Sequence, residues 1–193
     1  MITEVRPVID AHLARLVAAL DKFEYDVPRL EDWGRITANV LMTGGLLLAG
    51  GNGASAVQAQ RLAAELVGRY EPGRPPFAAL ALTAERAALT SDDTAEQNFA
   101  RQVRAHGRPG DLLICLSASG SSRNVIAAAQ AAVELGLTTW ALTGPGPNPL
   151  ASVCAEAIMV DAPAACIVQE VHLAAIHMLC AAVDATAAGS RLT

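Results

Sequence analysis

Apolar residues along this chain recur in two different rhythms. In "VIDAHLARLVAALDKF" (8–23) they follow a helical period, with Val8, Leu13, Leu16, Val17 and Leu20 mainly on one face. "RLEDWGRITANVLMTGG" (29–45) predicts a second helix, stopped at Gly44 and Gly45. Together these segments predict an N-terminal helical hairpin within residues 1–44. From residue 45 onward, short apolar runs alternate with helical segments. "LLLA" (46–49), "AALAL" (78–82), "DLLICL" (111–116), "TTWALT" (138–143) and "AIMVDA" (157–162) read as strands. Between and after them, "GASAVQAQRLAAELVGRY", "TAEQNFARQVRAH", a segment from about Ser122 to Leu135, the short "PNPLASVC" and the long "IVQEVHLAAIHMLCAAVDATA" read as helices. Such alternation predicts an α/β fold with a parallel sheet covered on both faces. "EPGRPP" and "TGPGPNP" read as loops within one domain, 1–193, whose α/β core is 45–193.

Composition narrows the picture. The chain is 52% hydrophobic and 17% charged, which argues for a packed core. Aromatics make up only 4%, so Ala, Leu, Val and Ile must fill that core. Ala-rich faces allow close helix packing, within the fold or between subunits. A net charge of −5 is unfavourable for nucleic acid, which is held by clustered Lys and Arg, but not for a small anion held by a few local donors. Cys115, Cys154, Cys166 and Cys180 lack CxxC spacing, and three lie in apolar runs. They read as free thiols in a reducing compartment. The N-terminus lacks a signal-type apolar block, and no stretch reads as a membrane span. A cytoplasmic protein with no membrane or nucleic-acid partner is the expectation.

Two loops carry the candidate chemistry. "GGNGAS" (50–55) lies between the first strand and its helix, where backbone N–H groups can face a ligand. A dinucleotide site would want a further glycine at Ser55. It would also want an acid closing the second strand, and Glu85 is poorly placed for that, so no nucleotide cofactor is expected. The bland reading of this loop is a tight turn with a Ser cap. The second loop, "SASGSS" (117–122), sets Ser117, Ser119, Ser121 and Ser122 around Gly120 before another helix. Hydroxyls, backbone N–H groups and the helix dipole together suit a phosphate. Ser121 or Ser122 could instead be an ordinary cap, but capping needs one serine, and four within six positions favour an anion. In a parallel sheet both loops lie at the same edge, where ligands bind.

With "GNGASAVQAQRLAAELVGRY" and the C-terminal "QEVHLAAIH", the serine loop resembles the sugar isomerase (SIS) family, and within it the bacterial phosphoheptose isomerases. The resemblance covers nearly the whole chain. It implies a three-layer α-β-α sandwich with a five-stranded parallel sheet, a homotetramer with sites between subunits, and a sugar-phosphate ligand. It also implies interconversion of sedoheptulose 7-phosphate and D-glycero-D-manno-heptose 7-phosphate. By the same resemblance Asn52, Gly53, Ala54 and Ser55 fall on the sugar-contacting turn. Ser117, Ala118, Ser119 and Ser122 fall on the phosphate loop, and Asp92 and Asp93 on a polar pair after the second strand. Glu65 matches the catalytic carboxylate and His177 its acid/base partner. Gln169 and His177 match residues that contact both substrate and zinc. Arg69, one turn after Glu65, could reach a neighbouring subunit's phosphate, or merely solvent.

The departures are as informative. The family's first zinc-binding histidine falls on Arg61, which has no lone pair to give a metal. Only Glu65, Gln169 and His177 remain as zinc ligands. The family's usual Thr is Ala118, its usual Asn is Ser121, and an Asp is Gln58.

The chemistry can also be argued from the residues. Aldose–ketose isomerisation through an enediol needs a base at carbon, an acid at oxygen and a positive group for the enediolate. A carboxylate and an imidazole suit the first two roles. Gln169, Leu173 and His177 share one helix face at spacings of four. Arg61 and Glu65 meet at i, i+4, so the guanidinium could contact substrate as the positive group. The residues also permit plainer readings, with Glu65 a solvated acid paired with Arg61 or Arg69, and His177 a core histidine. His172 lies on another face and reads as a structural or interface residue, and His12 and His106 belong to no constellation. A different class of function stays open: a non-catalytic phosphosugar-binding or regulatory member. The resemblance to the bacterial replication-initiator-associating protein implies it, although that relative lacks the carboxylate and histidine that Glu65 and His177 preserve.

Overall fold

Side-chain alternation within the strands sorts the core into two layers. In the computed structural model, which describes residues 5–68, 74–83 and 95–190, five parallel strands form one sheet. They are β1 (Leu47–Gly51), β2 (Ala79–Ala81), β3 (Leu112–Ser117), β4 (Thr138–Thr143) and β5 (Glu156–Met159), in spatial order β2-β1-β3-β4-β5. The helices are α1 (Arg6–Phe23), α2 (Val27–Met42), α3 (Ala54–Gly68), α4 (Asn98–His106), α5 (Arg123–Glu134), α6 (Pro149–Val153) and α7 (Ala165–Gly189). Leu47, Ala49, Ile114, Leu116, Trp140 and Leu142 point to one face, into a core shared with α1, α2, α3 and α7. Leu48, Leu113, Cys115 and Ala141 point to the other face, against α4, α5 and α6. The expected three-layer α-β-α sandwich follows from this period of two.

Strand order decides where a ligand can sit. After β1 the chain turns outward to β2, then returns to place β3 on the other side of β1. The helix after β1, α3, therefore covers one face, and the helix after β3, α5, covers the opposite face. Loops that diverge in this way leave a crevice at the carboxyl ends of β1 and β3. In register terms, Gly51 lies opposite Leu116, and Ser117 opposite Thr143.

The N-terminal hairpin is seated tightly on α7 and the sheet. Trp33 of α2 stacks on Trp140 of β4, with ring centroids 4.6 Å apart, and its indole N–H donates to Glu156 at 3.2 Å. At Gly34 a Cβ would run into Ala182, so only glycine lets α2 approach α7 this closely.

Two expectations are corrected. The face of α1 that carries most of the five apolar positions is only partly buried. Leu16 and Leu20 pack on the core beside buried Ala19 and Phe23, while Val8, Leu13 and Val17 are 66%, 58% and 49% exposed. The inward stripe is centred on Ala19 and Phe23 and leaves Leu13 and Val17 on its flank, while Val8, in line with Ala19, is exposed in the first turn of the helix. Second, α7 is long and apolar enough, by length and composition, to cross a membrane. Its apolar residues Ile167, Val168, Val171, Ile176, Leu179 and Val183 are buried in the core, which accounts for the composition without a membrane.

Candidate active site

The serine loop follows from Ser117, the last residue of β3, and from Gly120. Gly120 has φ +62°, and a Cβ there would collide with the Asn148 side chain, so the turn requires glycine. Asn148 caps α6 by accepting from Ala151 N–H at 3.0 Å, and its Nδ2 donates to Thr143 Oγ1 at 3.0 Å. Leu150 N–H donates to the Gly120 carbonyl at 2.9 Å, which braces the loop against α6.

The serines do not cap the helix they precede. Ser122 occupies the cap position of α5 with extended backbone, yet its side chain makes no capping bond. Its Oγ lies 3.2 Å from Ser117 Oγ, which in turn lies 3.5 Å from Ser119 Oγ. Ser121 Oγ donates to Ser119 Oγ at 3.0 Å. The hydroxyls thus gather on one another beside the N-terminus of α5, whose cap residue Ser122 makes no side-chain bond to it. A ligand rich in acceptors could take all of them at once.

The glycine turn arrives at the same place. Asn52, Ser55, Leu116, Ser117, Ala118, Ser119, Ser122, Ala165 and Gln169 line one cavity of about 230 Å³. Ala165 opens α7, whose cap residue Ala164 also provides no side-chain bond, so a second helix N-terminus borders the cavity. Of the residues singled out in the sequence, Asn52, Ser55, Ser117, Ala118, Ser119, Ser122 and Gln169 come together here. Gly53, Ala54, Arg61, Glu65 and His177 lie outside its lining. Arg69, Asp92, Asp93 and Glu85 fall outside the described residues.

Glu65 and His177 occupy neighbouring helices further from the loops. Glu65 is one turn from the end of α3, with its side chain only 14% exposed and ion-paired to Arg61. His177 lies half-buried on α7, one turn before Cys180. Burial and the charges of Glu65 and Asp184 push the Cys180 thiol up to about 12, with Arg74 and Arg61 opposing. Both members of the Arg61–Glu65 pair are therefore felt within a turn of His177.

The donor set does not fit a zinc ion. On α3 the Arg61 guanidinium has no lone pair for a metal, and it is ion-paired to the Glu65 carboxylate. Among the described residues no three His, Cys, Asp or Glu side chains cluster as a metal site.

Three residues with evident structural work were not read as site residues in the sequence. Arg74 is buried, ion-paired to Asp184 of α7, and donates to the carbonyls of Glu65 at 3.0 Å and Leu66 at 2.8 Å. It thereby closes the last turn of α3 and holds the backbone of Glu65; its place as the one cation among the prolines of "EPGRPP" was the available signal. Gln58 Nε2 donates to the Gln169 carbonyl at 2.5 Å and ties α3 to α7. His12, given no constellation by sequence, lies 2.9 Å from Glu170, beside Gln169. His172 is structural as expected: its Nε2–H donates to the Thr143 carbonyl at 3.0 Å.

Comparison with known proteins adds an independent line. The model of the SIS domain matches residues 12–144. The chain is 50% identical over 184 residues to a phosphoheptose isomerase of Streptomyces coelicolor, covering 94% of this chain and 80% of that one. The structure of a phosphoheptose isomerase from Neisseria gonorrhoeae superposes with a TM-score of 0.85 at 34% identity, covering 94% of this chain and 99% of that one. A phosphoheptose isomerase from Francisella tularensis gives 0.85 at 29% identity, over 92% and 97% of the two chains.

Proposed function

The chain belongs to the SIS domain family, and from that premise we propose that it is a sugar-phosphate aldose–ketose isomerase. Its substrate in this reading is sedoheptulose 7-phosphate and its product D-glycero-D-manno-heptose 7-phosphate. One observation carries the reading: Ser122 stands at the N-terminus of α5 without capping it and, with Ser117, Ser119, Asn52 and Gln169, lines a shared cavity. Ser117, Ser119 and Ser122 take the phosphate, helped by the N-termini of α5 and α7. Asn52, Ser55 and Gln169 contact the sugar, with Gly53 and Ala54 shaping the turn.

Glu65 and His177 form the acid/base pair. One takes a proton from the carbon beside the ketose carbonyl while the other gives a proton to the carbonyl oxygen. The resulting enediol is reprotonated at the former carbonyl carbon as the neighbouring oxygen loses its proton. Arg61 supplies the positive charge. Ion-paired to Glu65, it can face an enediolate oxygen without a metal.

The same pair supports a second reading, in which Arg61 occupies the Glu65 carboxylate permanently and the protein binds phosphosugars without turning them over. Aldose formation from sedoheptulose 7-phosphate, followed with zinc and with chelator for wild type, Arg61→Ala and Arg61→His, separates the two. The isomerase reading expects wild-type turnover in chelator and its loss in Arg61→Ala. Inactive wild type, with turnover gained by Arg61→His in zinc, supports the silent binder. Wild-type activity lost in chelator and restored by zinc defeats the role given to Arg61.

A further inference from the structure

Asn52 does not stand alone at the cavity rim. Its Nδ2–H donates to Asn124 Oδ1 at 2.8 Å, and Asn124 Nδ2–H donates back to Asn52 Oδ1 at 2.9 Å. Asn124 sits in the first turn of α5, just beyond the serine loop, and its Oδ1 also accepts Val125 N–H at 3.1 Å. That backbone bond fixes which end of the Asn124 amide is oxygen. The reciprocal pair then fixes the Asn52 amide, because turning either alone would set oxygen against oxygen. The two amides join the loop after β1 to the helix after β3, across the strand-order switch.

A carboxamide has two N–H groups and two acceptor lone pairs on oxygen. Asn124 takes one of each from Asn52 and leaves one of each. A dianionic phosphate only accepts, so the remaining Oδ1 lone pair disfavours it. A hydroxyl both donates and accepts, and matches both remaining groups. We propose that Asn124 is a positioning residue for sugar recognition. By clamping the Asn52 amide in one orientation, it makes Asn52 a reader of a substrate hydroxyl, while the serine loop takes the phosphate. This rests on the phosphosugar reading above.

The test is a double-mutant cycle by calorimetry on wild type, Asn52→Ala, Asn124→Ala and the double variant, with sedoheptulose 7-phosphate and with inorganic phosphate as ligands. Each single change is expected to weaken sugar-phosphate binding roughly tenfold, and the double variant no more than either single. Affinity for inorganic phosphate should stay within about twofold throughout, which a general loosening of the loops would not allow. Thermal melts verify folding. If Asn124→Ala fails to fold, Asn124→Ser, too short to reach Asn52, is expected to show the same loss. Wild-type sugar-phosphate affinity in Asn124→Ala, or losses that multiply in the double variant, would overturn the proposal. So would a parallel fall in affinity for inorganic phosphate. A wild-type chain that binds neither ligand would overturn the phosphosugar reading as well, which distinguishes the two failures.

Discussion

His172 has no accessible surface, and burial pulls its pKa down to about 4, with the bond to Thr143 opposing. The folded imidazole therefore stays neutral while an unfolded one, near 6.5, takes up a proton. Stability is full above about pH 6.5 and is lost as pH falls through that window towards 4, by on the order of 3 kcal/mol. Urea unfolding between pH 7 and 4 is expected to show this slope, and His172→Gln to flatten it. An unchanged slope in the variant would assign acid sensitivity to other groups. The sequence pointed to a structural role by placing His172 off the Gln169–His177 face, but the carbonyl it serves, 29 residues away, was not legible. Asn124 is a sharper case. Nothing in "SSRNV" marks it, because its partner Asn52 becomes a neighbour only through strand order.

Elements were read more fully than their partners. Each apolar run in the sequence became a strand and each long periodic segment a helix, because these signals are local. Loop chemistry was legible too, since glycine and serine requirements at a strand end are written in adjacent residues. What joins α3 to α7 was not, because Arg74, Asp184 and Gln58 are remote in sequence. The Arg74–Asp184 pair has side-chain exposures of 4% and 10% and lies behind the Glu65 backbone. Removing one partner strands a buried charge and opens the last turn of α3. Arg74→Met should lower the unfolding free energy by roughly 3–5 kcal/mol, and pairing it with Asp184→Leu should recover part of that. Denaturant titration of the three variants checks both, and a loss under 1 kcal/mol would show the pair to be dispensable.

At the scale of the molecule, the exposed apolar residues in and just before α1 ask for a cover. Val5, Val8, Ile9, Leu13 and Val17 are between 49% and 66% exposed, a run that is costly to leave in water. A second copy of the chain is the cover consistent with the resemblance, which implies a homotetramer. Light scattering across a dilution series should give a mass well above 19.9 kDa, and Leu13→Glu with Val17→Glu should lower it. A wild-type monomer at all concentrations would refute the assembly. The whole-molecule inference drew on the resemblance, because a sequence pattern reports that a face is apolar without reporting what meets it.

The two tryptophans of the chain, Trp33 and Trp140, lie face to face, 1° from parallel, one on the N-terminal hairpin and the other in the sheet. Indoles held this way couple their electronic transitions, and the chain thereby carries its own optical gauge of docking. While α2 is seated, the pair should give a near-ultraviolet dichroism couplet. Lifting α2 from β4 should abolish it, even where every helix and strand persists.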